Sequence, residues 1–343
     1  MSQGNFFAVG SAEFSKACEL GLRPAVAFLV LARGTLKDHS TTAWSAQAIF
    51  NYTGMAWRRA SEAIDALIDA NLVVVTKAGK KPRYKLCKPK ETADFLWLPN
   101  ELIDGAGSEV PPLRRLRERG ELFLFRRFIE LYGIQDLTAD GGLPRTLART
   151  KYSREKICPI GTLVAYGYKA AETTSTAEGI FADCLGLEDE EGNQGAWTVL
   201  NPLLKMGLIE QATYMVESSD YESELLYPLN DLTKEATYGL LPYFDANGGA
   251  GFASKVEKFL PLVGVAVRDL NDPSLIGVYR LVYRPKTAKT TVWYATEQGL
   301  TERFVQGMNR LLGLDVDING FQGTSMEING YQGAVIVDIN GNQ

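Results

Sequence analysis

The stretch SAQAIFNYTGMAWRRASEAIDALIDANLVVVTKAGKKPRYKL, residues 45–86, changes its hydrophobic period from about 3.6 to about 2 partway along. That switch leaves few folds open. Ser45 stands as an N-cap for a short helix with Ile49 and Tyr52 facing inward, and Thr53-Gly54 closes it with a turn. A second helix follows. On a helical wheel referenced to Ala60, Ile64, Leu67 and Ile68 share one apolar stripe, with Trp57 at its margin. Met55, Arg58, Glu62, Asp65 and Asp69 fall on the opposite side and Arg59 flanks them, so both arginines of the first turn project outward. Two helices joined by a tight glycine turn make a helix-turn-helix. Beyond them, the β-branched LVVVT, the turn KAGKK and the alternating PRYKL predict an antiparallel hairpin over 72–86.

That hairpin carries Lys77, Lys80, Lys81, Arg83 and Lys85, five cations in nine residues with no acid among them. Such a cluster repels itself unless it is solvated or faces an anion such as a phosphate backbone. The net charge of −5 hides this asymmetry. Residues 1–90 hold 13 Lys/Arg against 6 Asp/Glu, whereas 170–235 hold 2 against 14. Positive charge gathers at the front, and charge is counted by region when a partner is inferred.

At 343 residues and 45% apolar, the chain is long enough for two or three cores. The reading is α+β and multi-domain. The Pro-, Gly- and acid-rich LPNELIDGAGSEVPPL suggests a linker at 93–112, separating a front unit of 1–92 from a second unit of 113–235. The second unit loosely repeats the first: GELFLFRRFIELYGI reads as a first helix, GAWTVLNPLLKMGLIEQATYMVES as helix then strand, and SELLYPLN as a return strand. Its hairpin carries acids in place of lysines, so it is expected to dimerise or bind a partner protein. The strip RRLRERG, with Arg126 and Arg127, could still touch DNA. A third unit, 236–314, is read as α+β from the runs LVGVAVRDL, GVYRLVYR and TTVWYAT ahead of a helical TEQGLTERFVQGMNRLLGL. Within it, YRPKTAKTTVWY puts Arg284, Lys286 and Lys289 around a hairpin flanked by Trp293 and Tyr294. The tail 315–343 repeats Ile-Asn-Gly three times and reads either as a small β meander or as a loose terminus.

The order of helix, WSAQAIFNYTG, MAWRRASEAIDALIDANLV and basic hairpin over about 20–88 resembles a winged helix-turn-helix, as in MarR-like regulators and the N-terminal domains of phage and plasmid replication initiators. The resemblance implies that the second helix enters a major groove of double-stranded DNA while the wing meets a neighbouring groove or the backbone. Candidate contacts are Ser45, Met55, Arg58, Arg59 and Glu62 from the helices and Lys77, Lys80, Lys81, Arg83 and Lys85 from the wing. Glu62 is placed to accept from a cytosine amino group. Two points depart from the pattern: Ala56 stands where Ser or Thr often caps the recognition helix, and Asp65 and Asp69 put acids on its outer face. The expected function is sequence-specific DNA binding by a transcriptional regulator of a bacterial or mobile element. The alternatives are a replication initiator with tandem winged helices and a docking module without DNA affinity.

Catalysis finds little support. NGGAGFASK, residues 247–255, lacks the ending of a P-loop, and no Gly-x-Gly-x-x-Gly opens a strand-helix unit. The single histidine, His39, lies in the polar LKDHST and reads as a loop residue. The four cysteines lie far apart and read as structural thiols of a reducing compartment. No cofactor, metal or membrane contact is expected. With neither a long apolar run nor an export signal in the opening residues, the location is read as cytoplasmic.

Overall fold

The computed structural model describes residues 5–229 apart from positions 80, 90, 92, 93, 108, 139, 161, 162, 177, 219 and 221, together with 262–266 and 273–311. The expected tail, 315–343, lies outside the described residues. The architecture mixes helices with several sheets. Its first part runs β1 (Phe6–Gly10), α1 (Ser11–Glu19), α2 (Leu22–Arg33), β2 (Thr41–Thr42), α3 (Ala46–Thr53), α4 (Trp57–Asp69), β3 (Val73–Lys77) and β4 (Arg83–Leu86).

Helix α2 occupies the centre. Its sequence LRPAVAFLVLAR is apolar on every side, and every residue from Pro24 to Ala32 is buried. A helix with that pattern must be surrounded. It packs against α1, α3, α4 and β1. At its end, Arg33 lies 5.7 Å from the Trp44 ring, which stacks on Tyr52 of α3 at 4.8 Å.

Helix α3 stops at Gly54, whose φ of 68° closes the turn as its N–H donates to the Phe50 carbonyl at 2.8 Å. Thr53 turns its hydroxyl back to Ile49 and accepts from the Met55 amide, which holds the entry to α4. Helix α4 buries Ala60, Ala63, Ile64 and Leu67. It ends in a Schellman motif: Asn71, at φ 58°, donates to Ile68, and Leu72 donates to Leu67, both at 2.9 Å. This turn feeds the chain into β3. Strands β2, β4 and β3 then form a three-stranded antiparallel sheet, with Thr42 opposite Tyr84 and Val73 opposite Leu86. A bulge interrupts the hairpin between Val75 and Lys77. Asp38 anchors the approach to β2. Burial pushes its carboxyl up, but bonds from the Thr41 hydroxyl, the Thr41 and Ser40 amides and the nearby Lys88 charge together hold it below the usual range.

The expected linker at 93–112 is corrected. Residues Phe95–Pro99 form β5, which pairs antiparallel with all of β1, and Glu101–Asp104 form a short helix, α5. Leu98, Leu102 and Ile103 are buried. The alternating FLWLP run needed a partner strand from the start of the chain. The glycines and prolines mark only the turns around it. An ion pair of 2.7 Å between Arg33 and Asp104 ties the end of α2 to α5.

The chain continues through α6 (Pro112–Arg119) and α7 (Leu122–Ile134) to β6 (Ala148–Ile160), β7 (Leu163–Ser175), α8 (Trp197–Lys205), β8 (Ile209–Val216) and β9 (Leu225–Pro228). Strands β10 (Leu262–Ala266) and β11 (Ser274–Leu281) and helix α9 (Ala288–Leu311) follow. The second sheet has the order β10-β7-β6-β11-β8-β9. Packing runs without a break from front to back: Phe14 of α1 meets Phe125 of α7 with ring centroids 6.0 Å apart, and Arg115 of α6 donates to the Met206 carbonyl at 2.7 Å.

The strand expected at TTVWYAT is also corrected, because these residues lie inside α9. Thr287 and Thr290 cap its start reciprocally, with Thr290 N donating to Thr287 Oγ1 at 3.1 Å and Thr287 N to Thr290 Oγ1 at 2.9 Å. The cap overrides the β propensity of the threonines and aromatics. No hairpin therefore surrounds Arg284 and Lys286, and Lys286 is engaged by Glu101 at 2.8 Å.

Leu98→Ala tests whether β5 belongs to the core. It will lower the unfolding free energy by about 2–5 kcal/mol in urea denaturation, whereas a linker residue would move it by no more than about 0.5 kcal/mol.

Candidate nucleic-acid interface

Packing of α3 and α4 on α2 leaves the first turn of α4 standing clear. Arg58 and Arg59 are both exposed, and the Arg58 side chain is 89% accessible. Arg58 donates to Glu62 at 2.9 Å, one helical turn on. An exposed pair of this spacing contributes only about 0.3–0.5 kcal/mol, so an external anion can displace it. Arg59 makes no hydrogen bond or ion pair among the described residues. Trp57, placed at the stripe's margin by the wheel, is 60% exposed at the first helical position.

One expected contact is corrected here. Met55 is only 3% exposed and packs in the core. The wheel carried it to the outer face, but Met55 precedes the N-cap Ala56 and so does not follow the helical period. It occupies the N′ position and is buried, as is Ala60 at N4. Ser45 does sit at the N-cap of α3, yet its hydroxyl makes no capping bond. Its carbonyl receives the Ala48 and Ile49 amides, and the side chain is half-buried.

On the hairpin, Tyr84 and Leu86 turn inward while Lys77, Lys81, Arg83 and Lys85 are exposed. Lys80 lies outside the described residues. None of the four described cations has a hydrogen-bonding or ionic side-chain partner among the described residues. Burial, and then the charge of Asp65, push the Tyr84 hydroxyl up. In the LVVVT run Leu72 and Val73 are buried, while Val74 and Val75 are exposed at 55% and 41%.

The rest of the chain treats its arginines differently. Arg114 and Arg117 share Glu118, Arg119 pairs with Glu121, Arg126 with Glu130, and Arg127 with Glu130 and Asp183. On the hairpin, Lys77, Lys81, Arg83 and Lys85, and on the first turn of α4, Arg59, have no such partner among the described residues. Elsewhere, burial pushes the Cys18 thiol up to about 12, which keeps it protonated. Among the described residues no group of three His, Cys, Asp or Glu side chains is placed to hold a metal ion, and no helix is long and apolar enough to cross a membrane. Comparison with family models, curated proteins and solved structures returned no match.

Two substitutions separate core from surface at this tip. Met55→Ala will lower the unfolding free energy by about 2–5 kcal/mol. Ser45→Ala will cost well under the roughly 1 kcal/mol of a working serine cap. Thermal and urea denaturation of both variants checks the pair.

Proposed function

We propose that this chain binds double-stranded DNA in a sequence-specific way, with α2, β2, α3, α4, β3 and β4 acting as a winged helix. The observation that carries the reading is the exposed, acid-free cluster of Lys77, Lys81, Arg83 and Lys85 on the hairpin, with exposed Arg58 and Arg59 on the first turn of α4, within a chain of net charge −5. Helix α4 enters the major groove by its first turn and a half, where Arg58 and Arg59 reach base edges and Trp57 offers an apolar face to thymine methyls or sugars. Lys77, Lys81, Arg83 and Lys85 meet phosphates. Glu62 holds Arg58 in the free protein and releases it to the DNA.

A transcriptional regulator is the first biological role that fits. One observation favours a second, a replication initiator with tandem winged helices. Helix α8 ends as α4 does, with Gly207 at φ 62° donating to Leu204 and Leu208 donating to Leu203, both at 2.9 Å, before β8 begins. The hairpin after β8 bears exposed Glu222 and Glu224. An acidic hairpin repels phosphate, so this second copy serves self-association or a protein partner.

Fluorescence anisotropy with specific and random duplexes tests the DNA reading. Arg58→Ala and Arg59→Ala will each cost about 1–3 kcal/mol on the specific site and relax sequence preference. Lys81→Ala will weaken all sequences alike and lessen the salt slope by about 1. Glu62→Gln frees Arg58 and will strengthen binding at low salt. A folded full-length chain that shifts no duplex at low ionic strength contradicts the reading.

A further inference from the structure

A trough of about 720 Å³ runs beside the first turn of α4, walled by the α1–α2 turn, the helix-turn-helix turn and the end of α6. Three arginines line it: Arg23 at the start of α2, Arg59 on α4 and Arg117 on α6. Each comes from a different helix. Arg23 and Arg59 are exposed and have no ionic partner among the described residues. Arg117 donates to Glu118 through one terminal nitrogen at 3.1 Å, while its Nε is buried without a partner. The one acid in the lining, Glu62, is already engaged by Arg58. Gly21, at φ 108°, sets the start of α2 on the same trough, where the positive end of the helix dipole faces it, though Pro24 leaves the first turn only the Leu22 and Arg23 amides. Helix α6 is held close. Arg114 lies against Gly54, near enough that a Cβ there would stand 3.4 Å from its guanidinium carbon.

We infer that this trough seats a backbone phosphate of the bound duplex, which makes α2 and α6 part of the DNA interface. The inference rests on the DNA-binding reading above. A phosphodiester fits better than a small phosphorylated ligand for two reasons. The trough is partly open to solvent, whereas pockets for small molecules bury most of the ligand. Its wall also continues through Arg59 to Arg58 on the tip of α4, so one strand of a duplex docked there passes over both. Glu118 acts as the stand-in anion of the free protein. A hydrogen bond from Arg114 is the main cause that holds its carboxyl below the usual range, so it stays charged and competes for Arg117.

The test uses the full chain and a labelled random-sequence duplex across a salt series. Arg23→Gln and Arg117→Gln will each weaken binding roughly fivefold to tenfold at about 0.1 M salt and flatten the slope of log K against log salt by about 1. Glu118→Gln will tighten it. Arg23 is exposed and Arg117 half-buried, and melting curves confirm that both variants fold. If the groove variants bind as wild type does while Lys81→Gln is weakened, the inference falls and the DNA reading stands. Wild-type chain that binds no duplex at low salt overturns both. A third arm titrates 5′-AMP as a free phosphate monoester: groove variants that lose 5′-AMP yet keep duplex affinity assign the trough to a small ligand and overturn the inference.

Discussion

Burial of α2 organises the front of this molecule. Nine consecutive buried residues, Pro24 to Ala32, give a helix with no face to show to water. Each large apolar side chain among them stabilises the fold by about 1.5–3 kcal/mol, provided neighbours close on every side. Helices α1, α3 and α4 and strand β1 supply that enclosure, and β1 must in turn be paired, which is the role of β5. The exposed tip of α4 follows from this arrangement. With Ala60, Ala63, Ile64 and Leu67 committed to the core, residues 57–59 have only solvent before them.

Electrostatics then separates structural arginines from available ones. Along α6 and α7 a carboxylate sits within a turn of most guanidinium groups, as in Arg126–Glu130 at 2.8 Å. Those pairs settle local charge and hold helices together. The hairpin has no acid from Lys77 to Lys85, so its repulsion is relieved only by water, salt or an external anion. A buried orphan such as Arg117 Nε lies between these cases, since part of its guanidinium is paired and part is not.

Local signals in the sequence carried far, and non-local ones did not. The helices around Gly54 and the hairpin were legible because their periods and turn residues act within a few positions. Met55 was misplaced because a wheel extends the helix past its cap. TTVWYAT has the β propensity of a strand, and only the Thr287–Thr290 cap, set at its start, makes it helical. Residues 95–99 were read as linker because their partner, β1, lies at the opposite end of the front unit, and pairing across that distance leaves no mark in composition. Arg23 and Arg117 share a trough for the same reason: three helices far apart in sequence converge there, and only RRLRERG hinted at it.

The two helix-to-strand junctions make the strongest case that a single physical device is used twice. ANLVVV and MGLIEQ both place a left-handed residue, Asn71 or Gly207, one position before a buried leucine, Leu72 or Leu208, whose amide reaches back to the helix. The hydrogen bonds match atom for atom, so the geometry that launches each hairpin is shared. The charge beyond it differs. The shared junction launches each hairpin, but the sheets they join differ: β3 and β4 lie with β2 in a three-stranded sheet, while β8 and β9 edge a six-stranded one. A lysine-rich hairpin in one sheet and an acidic hairpin at the edge of the other thus present opposite charge to whatever lies before them.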